Sequence, residues 1–149
     1  MTGPIALAAL REAREWIGTP YVHQASAKGH GADCLGLLCG IWRKLYGDLP
    51  EAIPAYSPDW SEAAKTEDMW CAARRHLRSK SLARPAAGDV VLFRMHDRAV
   101  AKHVGVTAEV GRRSSFVHAF SGHGVVESPL STPWERRIVA RFSFPERIC

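Results

Sequence analysis

Hydrophobic and polar positions divide this chain into a helical first half and a strand-forming second half. Residues 4–17 read as a first helix, with Pro4 suited to its first turn and Gly18 after its end. Residues 18–33 form a loop rich in Gly, Ser and His. From Cys34, the apolar residues Leu37, Leu38, Ile41, Trp42 and Leu45 follow at offsets of 3, 4, 7, 8 and 11. Those offsets trace one stripe, so the spacing predicts a second helix over 34–46, closed by Gly47, with Cys34 on its buried face. Residues 48–59 read as a Pro-containing loop and 60–78 as a third, more charged helix.

The pattern changes after Arg84-Pro85-Ala86-Ala87-Gly88. Residues 89–95 are nearly all apolar, as expected for a central strand covered on both faces. Further strands are expected over 103–110, 114–120, 124–127 and 137–144. There is no internal repeat and no low-complexity segment. Helices first and strands second, with short connections, predict one α+β domain over 1–149. Its N-terminal helices would pack on an antiparallel five- to six-stranded meander.

Register carries a further expectation. Residues 110–113 should turn the hairpin between the second and third strands. If paired residue numbers total 221, His103 lies directly opposite His118; a total of 223 makes them diagonal neighbours on one face. A total of 222 separates them, because a one-residue slip flips every side chain. The face holding His103, Gly105 and Thr107 is expected to look at the helix that carries Cys34.

These placements bring candidate chemistry with them. A thiol at a helix N-terminus meets unsatisfied amides and the positive end of the macrodipole, which should lower its pKa. Cys34 can then attack a carbonyl carbon, with His103 accepting the thiol proton and returning it to the leaving amine. His118 would hold the His103 imidazole in the productive tautomer, and the Cys34 backbone amide would bind the oxyanion. Taken separately, each residue has a structural alternative: Cys34 as core filler, His103 as a strand-edge residue, His118 as a core histidine.

Composition narrows the partners. The chain has 149 residues, 46% hydrophobic and 23% charged, ordinary for a globular protein with a real core. Its net charge of +5 is uneven: residues 1–74 hold 7 Lys/Arg against 9 Asp/Glu, residues 75–149 hold 13 against 6. The basic half favours anionic partners such as a nucleic acid or a cell-wall polymer. No nucleic-acid reading motif accompanies it, so no specific nucleic acid is expected. The N-terminal apolar run lacks a basic n-region and is cut short by Arg11 and Glu12, so no secretory signal is expected and synthesis in the cytoplasm is. No segment is long enough to span a membrane. Four cysteines (Cys34, Cys39, Cys71 and Cys149) do not make a disulfide scaffold at this length, and their spacings lack the short pairs of a metal site. Neither metal nor cofactor is expected.

The ordered segments carry a resemblance. Thr19-Pro20-Tyr21-Val22 followed by Asp33-Cys34-Leu35-Gly36-Leu37 resembles the nucleophile region of the NlpC/protein-60 family of papain-like cell-wall cysteine peptidases. Gly88-Asp89-Val90-Val91-Leu92-Phe93, then His103-Val104-Gly105-Val106, then Val117-His118-Ala119, is similar to that family's downstream pattern. The resemblance covers roughly residues 5–143; no single piece of it is specific, but the ordered set is. It implies a papain-like fold, with Cys34 as nucleophile, His103 as base and His118 as the orienting third residue. It also implies that Tyr21 and Asp33 line the substrate cleft. The family often has Ser after the nucleophile, where it helps hold a free amino group of the stem peptide. Leu35 cannot do this. The loop between Tyr21 and Asp33 is longer and more polar than the family's Gly-rich form, and its His23, Lys28 and His30 read as exposed loop residues, with substrate contact as the alternative.

The resemblance implies hydrolysis of the peptidoglycan stem peptide, typically at a γ-D-glutamyl-diaminopimelate bond. It is nearest in character to peptidases carried with tail proteins of phages and gene transfer agents. A tail-borne enzyme, held by tail hub or tail-tip proteins, would reach the periplasm or cell wall without a signal. The alternatives are a structural tail-tip or adaptor protein with the same fold, and an amidase or transacylase using the same Cys-His site.

Overall fold

This computed structural model describes residues 3–52 and 67–146. The chain opens with helix α1 (Pro4–Glu15), Pro4 standing at its first turn. Two short strands follow, β1 (Ser26–Ala27) and β2 (Gly31–Ala32), which pair with each other inside the expected loop. Helix α2 (Cys34–Tyr46) begins and ends where the apolar stripe placed it, with Asp33 as N-cap and Gly47 as C-cap at φ 92°. Helix α3 (Asp68–His76) ends two residues before the expected 78. Leu77 turns extended (φ −115°, ψ 163°) and leads into strand β3 (Arg78–Lys80), whose residues pair with the last strand of the fold. Residues 53–59 of the expected Pro-containing loop and 60–66 of the expected helix lie outside the described residues.

The remaining elements are β4 (Val90–Arg94), β5 (Ala101–Thr107), β6 (Ser115–Phe120), β7 (Gly124–Pro129), the short helix α4 (Thr132–Glu135) and β8 (Ile138–Ser143). Six strands form one antiparallel sheet in the order β3-β8-β4-β5-β6-β7. The meander therefore holds from β4 to β7. After β7 the chain turns through α4, and β8 returns to the other side of β4. No helix among the described residues is long and apolar enough to cross a membrane.

Strand alternation gives this sheet two different faces. Val90, Leu92, Val104, Val106, Val117, Ala119, Val125 and Phe142 face the main core, shared with Ala9, Leu10, Ala13 and Trp16 at α1 and Leu37, Ile41 and Trp42 on α2. Val91, Phe93 and Phe116 face the other way, beneath Met95, Leu130, Trp134 and Ile138.

Phe93 pairs with His103 and Val91 with Gly105, so His103 and Gly105 belong to this second face. Thr107 does as well: its hydroxyl accepts from Arg141 Nη1 at 3.0 Å, and the same Nη1 reaches Asp89 at 3.0 Å. The expectation that this face looks at the Cys34 helix is thus corrected. Alternation had shown which residues share a face. Helix α2 then chose the other one, where Val104 and Val106 offer a purely apolar surface.

The β5–β6 hairpin takes the diagonal register. Val106 pairs with Val117 and Thr107 with Phe116, residue numbers that total 223. The backbone bond from Ala108 N to Ser115 O continues that register toward the turn.

Candidate functional site

The loop before α2 is fastened onto the first turn of the helix, and this fixes Cys34. Asp33, 3% exposed, accepts from Gly36 N at 2.7 Å and from Gln24 N at 2.8 Å. Ser26 Oγ donates to the Gly36 carbonyl at 2.6 Å. A Cβ at position 36 would collide with the Ala25 carbonyl, so only glycine lets the loop lie this close. Asp33, which the resemblance placed in the substrate cleft, uses its carboxylate to build the helix start. Lys28 reaches back to α1, 2.6 Å from Glu12 and 3.2 Å from Glu15, and ties the far side of the loop down. His23 Nδ1 stands 3.7 Å from Asp33, and His30 is exposed.

Half-buried Cys34 donates its thiol to the Lys102 carbonyl at 3.6 Å. Burial pushes the thiol up to about 12, with the Asp33 carboxylate acting in the same direction. The amides of Val104, Leu35 and Cys34 pull the other way, but less strongly. The lowered pKa expected at a helix N-terminus is therefore corrected. Removal from water outweighs the helix-end amides, and the thiol rests protonated.

His103 and His118 meet as the diagonal register requires. Nε2 of His103 and Nδ1 of His118 share a hydrogen bond of 2.8 Å, and His118 Nε2 shares another of 2.8 Å with Ser128 Oγ. Burial lowers His103 to about 3, with His118 adding to the shift; burial lowers His118 to about 4, with His123 adding. Both imidazoles are neutral at pH 7. Trp134 lies over them, its ring centroid 5.5 Å from His103 and 5.1 Å from His118. Phe93 flanks His103 at 5.5 Å, and Phe116 packs on His118 at 4.2 Å. Gly105 makes room for that packing, because a Cβ there would stand 2.9 Å from Phe116 Cδ2 and 3.3 Å from His118 Cβ.

The structure thus joins the two histidines directly and brings the thiol to the β5 backbone on either side of His103. Among the described residues no hydrogen bond links the thiol to an imidazole. His103 Nε2 is occupied by His118, so Nδ1 is the ring nitrogen outside that bond. Tyr21 forms a bridge to Ala32, and burial pushes its hydroxyl up, with Cys34 and Asp33 adding to the shift. Leu35 packs against the main core. No group of three or more His, Cys, Asp or Glu among the described residues is arranged to hold a metal.

Two contributors escaped the sequence reading. Ser128 lies one residue beyond the expected end of its strand at 127, while β7 runs to Pro129. Trp134 belongs to α4, whose Ser131-Thr132-Pro133 start is a recognisable helix opening.

A family model described as the NlpC/P60 family matches residues 18–142. No curated protein matches. Among solved structures the chain is similar to a lipoprotein-like NLP/P60 family protein from Staphylococcus aureus, with 19% identity and a TM-score of 0.63, covering 99% of this chain and 43% of that one. An NlpC/P60 family protein from Bacillus cereus gives 21% identity and a TM-score of 0.63, over 93% of this chain and 39% of that one. The structure titled Ly7917 gives 16% identity and a TM-score of 0.60, over 94% and 62%. This chain therefore spans about two fifths to about three fifths of the length of these structures, and the likeness is one of fold.

Proposed function

This chain belongs to the NlpC/P60 family, and on that premise we propose that it is a cysteine endopeptidase of the peptidoglycan stem peptide, with Cys34 as nucleophile, His103 as base and His118 as the residue that orients His103. The observation that carries the assignment is the 2.8 Å bond between His103 Nε2 and His118 Nδ1, one residue from the carbonyl that holds the thiol. It commits Nε2 and leaves Nδ1 to act on the thiol.

In the proposed reaction Cys34 Sγ bonds to the carbonyl carbon as its proton passes to His103 Nδ1. The carbonyl π electrons move to oxygen, where the Cys34 backbone amide binds the oxyanion. Collapse breaks the C–N bond, and the His103 proton goes to the leaving amine. Water then attacks the thioester, with His103 again taking the proton, and the free acid and thiol are released. Because thiol and imidazole both rest neutral, the proton moves as the S–C bond forms.

The substrate is proposed to be an anionic wall polymer cut at the γ-D-glutamyl-diaminopimelate bond. A cavity of about 470 Å³ whose lining sets three guanidinium groups, Arg94, Arg136 and Arg137, against one carboxylate, Asp97, supports this charge preference, and Arg137 lies 5.6 Å over the Trp134 ring that covers the histidines. Tyr21 and Leu35 are proposed to line the cleft. With Leu35 in place of the family's frequent Ser, recognition does not depend on a free N-terminal amine. We place the domain on a phage-like tail, held by a tail hub or tip protein and acting in the periplasm or wall.

Mass spectrometry of muropeptides incubated with the protein tests this reading. New products whose masses locate the cut between D-glutamate and diaminopimelate support it. Cleavage elsewhere in the stem overturns the bond assignment, and release of the whole stem from the glycan would make the enzyme an amidase.

A further inference from the structure

Resting on that assignment of Cys34, His103 and His118, we infer that Ser128 is a positioning residue whose hydroxyl oxygen supports the tautomers of both histidines that the reaction needs. His118 pairs with Val126 and Phe116 with Ser128, so His118 and Ser128 are diagonal neighbours on the second sheet face. Their side chains meet at 2.8 Å, and the row Ser128–His118–His103 is continuous.

A row of two imidazoles and one hydroxyl can be protonated in two ways. In one, His118 Nε2–H donates to Ser128 Oγ, His103 Nε2–H donates to His118 Nδ1, and His103 Nδ1 presents a lone pair. In the other, every bond is reversed: the hydroxyl donates to His118, His118 Nδ1–H donates to His103, and the neutral His103 carries its proton on Nδ1. Only the first arrangement can accept the thiol proton. A serine hydroxyl can accept from Nε2–H or donate to a bare Nε2, so Ser128 Oγ makes the first arrangement possible by offering the Nε2–H an acceptor among the apolar rings of Phe116 and Phe120. Without that oxygen the Nε2–H loses its partner in an apolar surrounding, which favours moving the proton to Nδ1 and so the idle arrangement.

The test compares wild type, Ser128→Ala and Ser128→Thr in the full chain. Nitrogen NMR of histidine-labelled protein reads the tautomers, and muropeptide turnover reads the rate. Wild type and Ser128→Thr should show His118 protonated on Nε2, and His103 likewise. Ser128→Ala should move His118 toward the Nδ1–H form and lower kcat about 5- to 10-fold with KM unchanged, the weight of one hydrogen bond. Recovery by threonine separates this role from packing alone. A wild-type His118 protonated on Nδ1, or a Ser128→Ala protein with unchanged tautomers and kcat, overturns the inference. The spectra need no turnover. If wild type cuts no muropeptide yet the tautomers respond to Ser128, the functional reading fails while the placement of Ser128 stands.

Discussion

The Cys34 thiol donates to the Lys102 carbonyl at 3.6 Å, so it meets β5 one residue before His103 while its helix packs on the opposite sheet face from the imidazole. β5 has a register shift at this place: Phe93 pairs with His103 but Arg94 with Ala101, leaving Lys102 outside the ladder. The helix start and the irregular strand end are how elements on two faces come together at one point.

Thiol reactivity should follow from that burial. With Cys34 raised to about 12 and His103 lowered to about 3, the resting pair is thiol and neutral imidazole. Alkylation of Cys34 by iodoacetamide, followed by peptide mapping to separate it from exposed Cys71, should rise steadily into alkaline pH. A fast plateau between about pH 5 and 8 would instead reveal a preformed thiolate–imidazolium pair.

Stability should depend on the same histidines. Both folded values, about 3 and about 4, lie below the ordinary 6.5, so the unfolded chain binds more protons between these limits. Their contribution is complete above about pH 6.5 and is lost as pH falls toward 4, at up to about 1.4 kcal/mol per pH unit for each histidine. Urea denaturation of wild type and His118→Asn at several pH values measures the difference. Parallel profiles from pH 7 to 4.5 would contradict the assignment.

Gly105→Ala should be destabilising by about 1–3 kcal/mol, because the added methyl group presses on Phe116 and His118. Denaturation gives the cost. Since His118 is among the atoms displaced, turnover should fall as well, and an active, equally stable variant would show that the close packing is not needed.

Loss of the two histidines should differ in size. His103→Ala removes proton transfer and should lower kcat by about 10²–10⁴-fold, with His118→Ala costing less because it acts through His103. Steady-state rates of the two variants decide the order, and a larger loss at His118 would exchange the roles.

Legibility in the sequence followed the strength of local signals. Helix α2 was readable because one apolar stripe runs along it from Cys34 and Gly47 ends it; the Asp33 cap was not read. The meeting of His103 and His118 was readable as well, since two of the three simplest hairpin registers bring them to one face. Which face α2 would cover was not. The segment Val90–Phe93 is apolar at every position, so its pattern has no polar side to mark the outside. The second face is completed by Trp134, which arrives on α4 from a remote part of the sequence. The thiol's pKa was misread for a related reason: a helix N-terminus is a local feature, whereas burial against β5 is a tertiary one.

The most direct test of the central claim is to trap the acyl-enzyme. Muropeptide is mixed with wild-type protein, quenched in acid within the first turnover, and the protein's intact mass and peptide map are recorded. The account predicts a mass increase equal to the acyl part of the substrate, on Cys34, and no adduct or turnover in Cys34→Ala. Full turnover in Cys34→Ala, or an adduct on another residue, would contradict it.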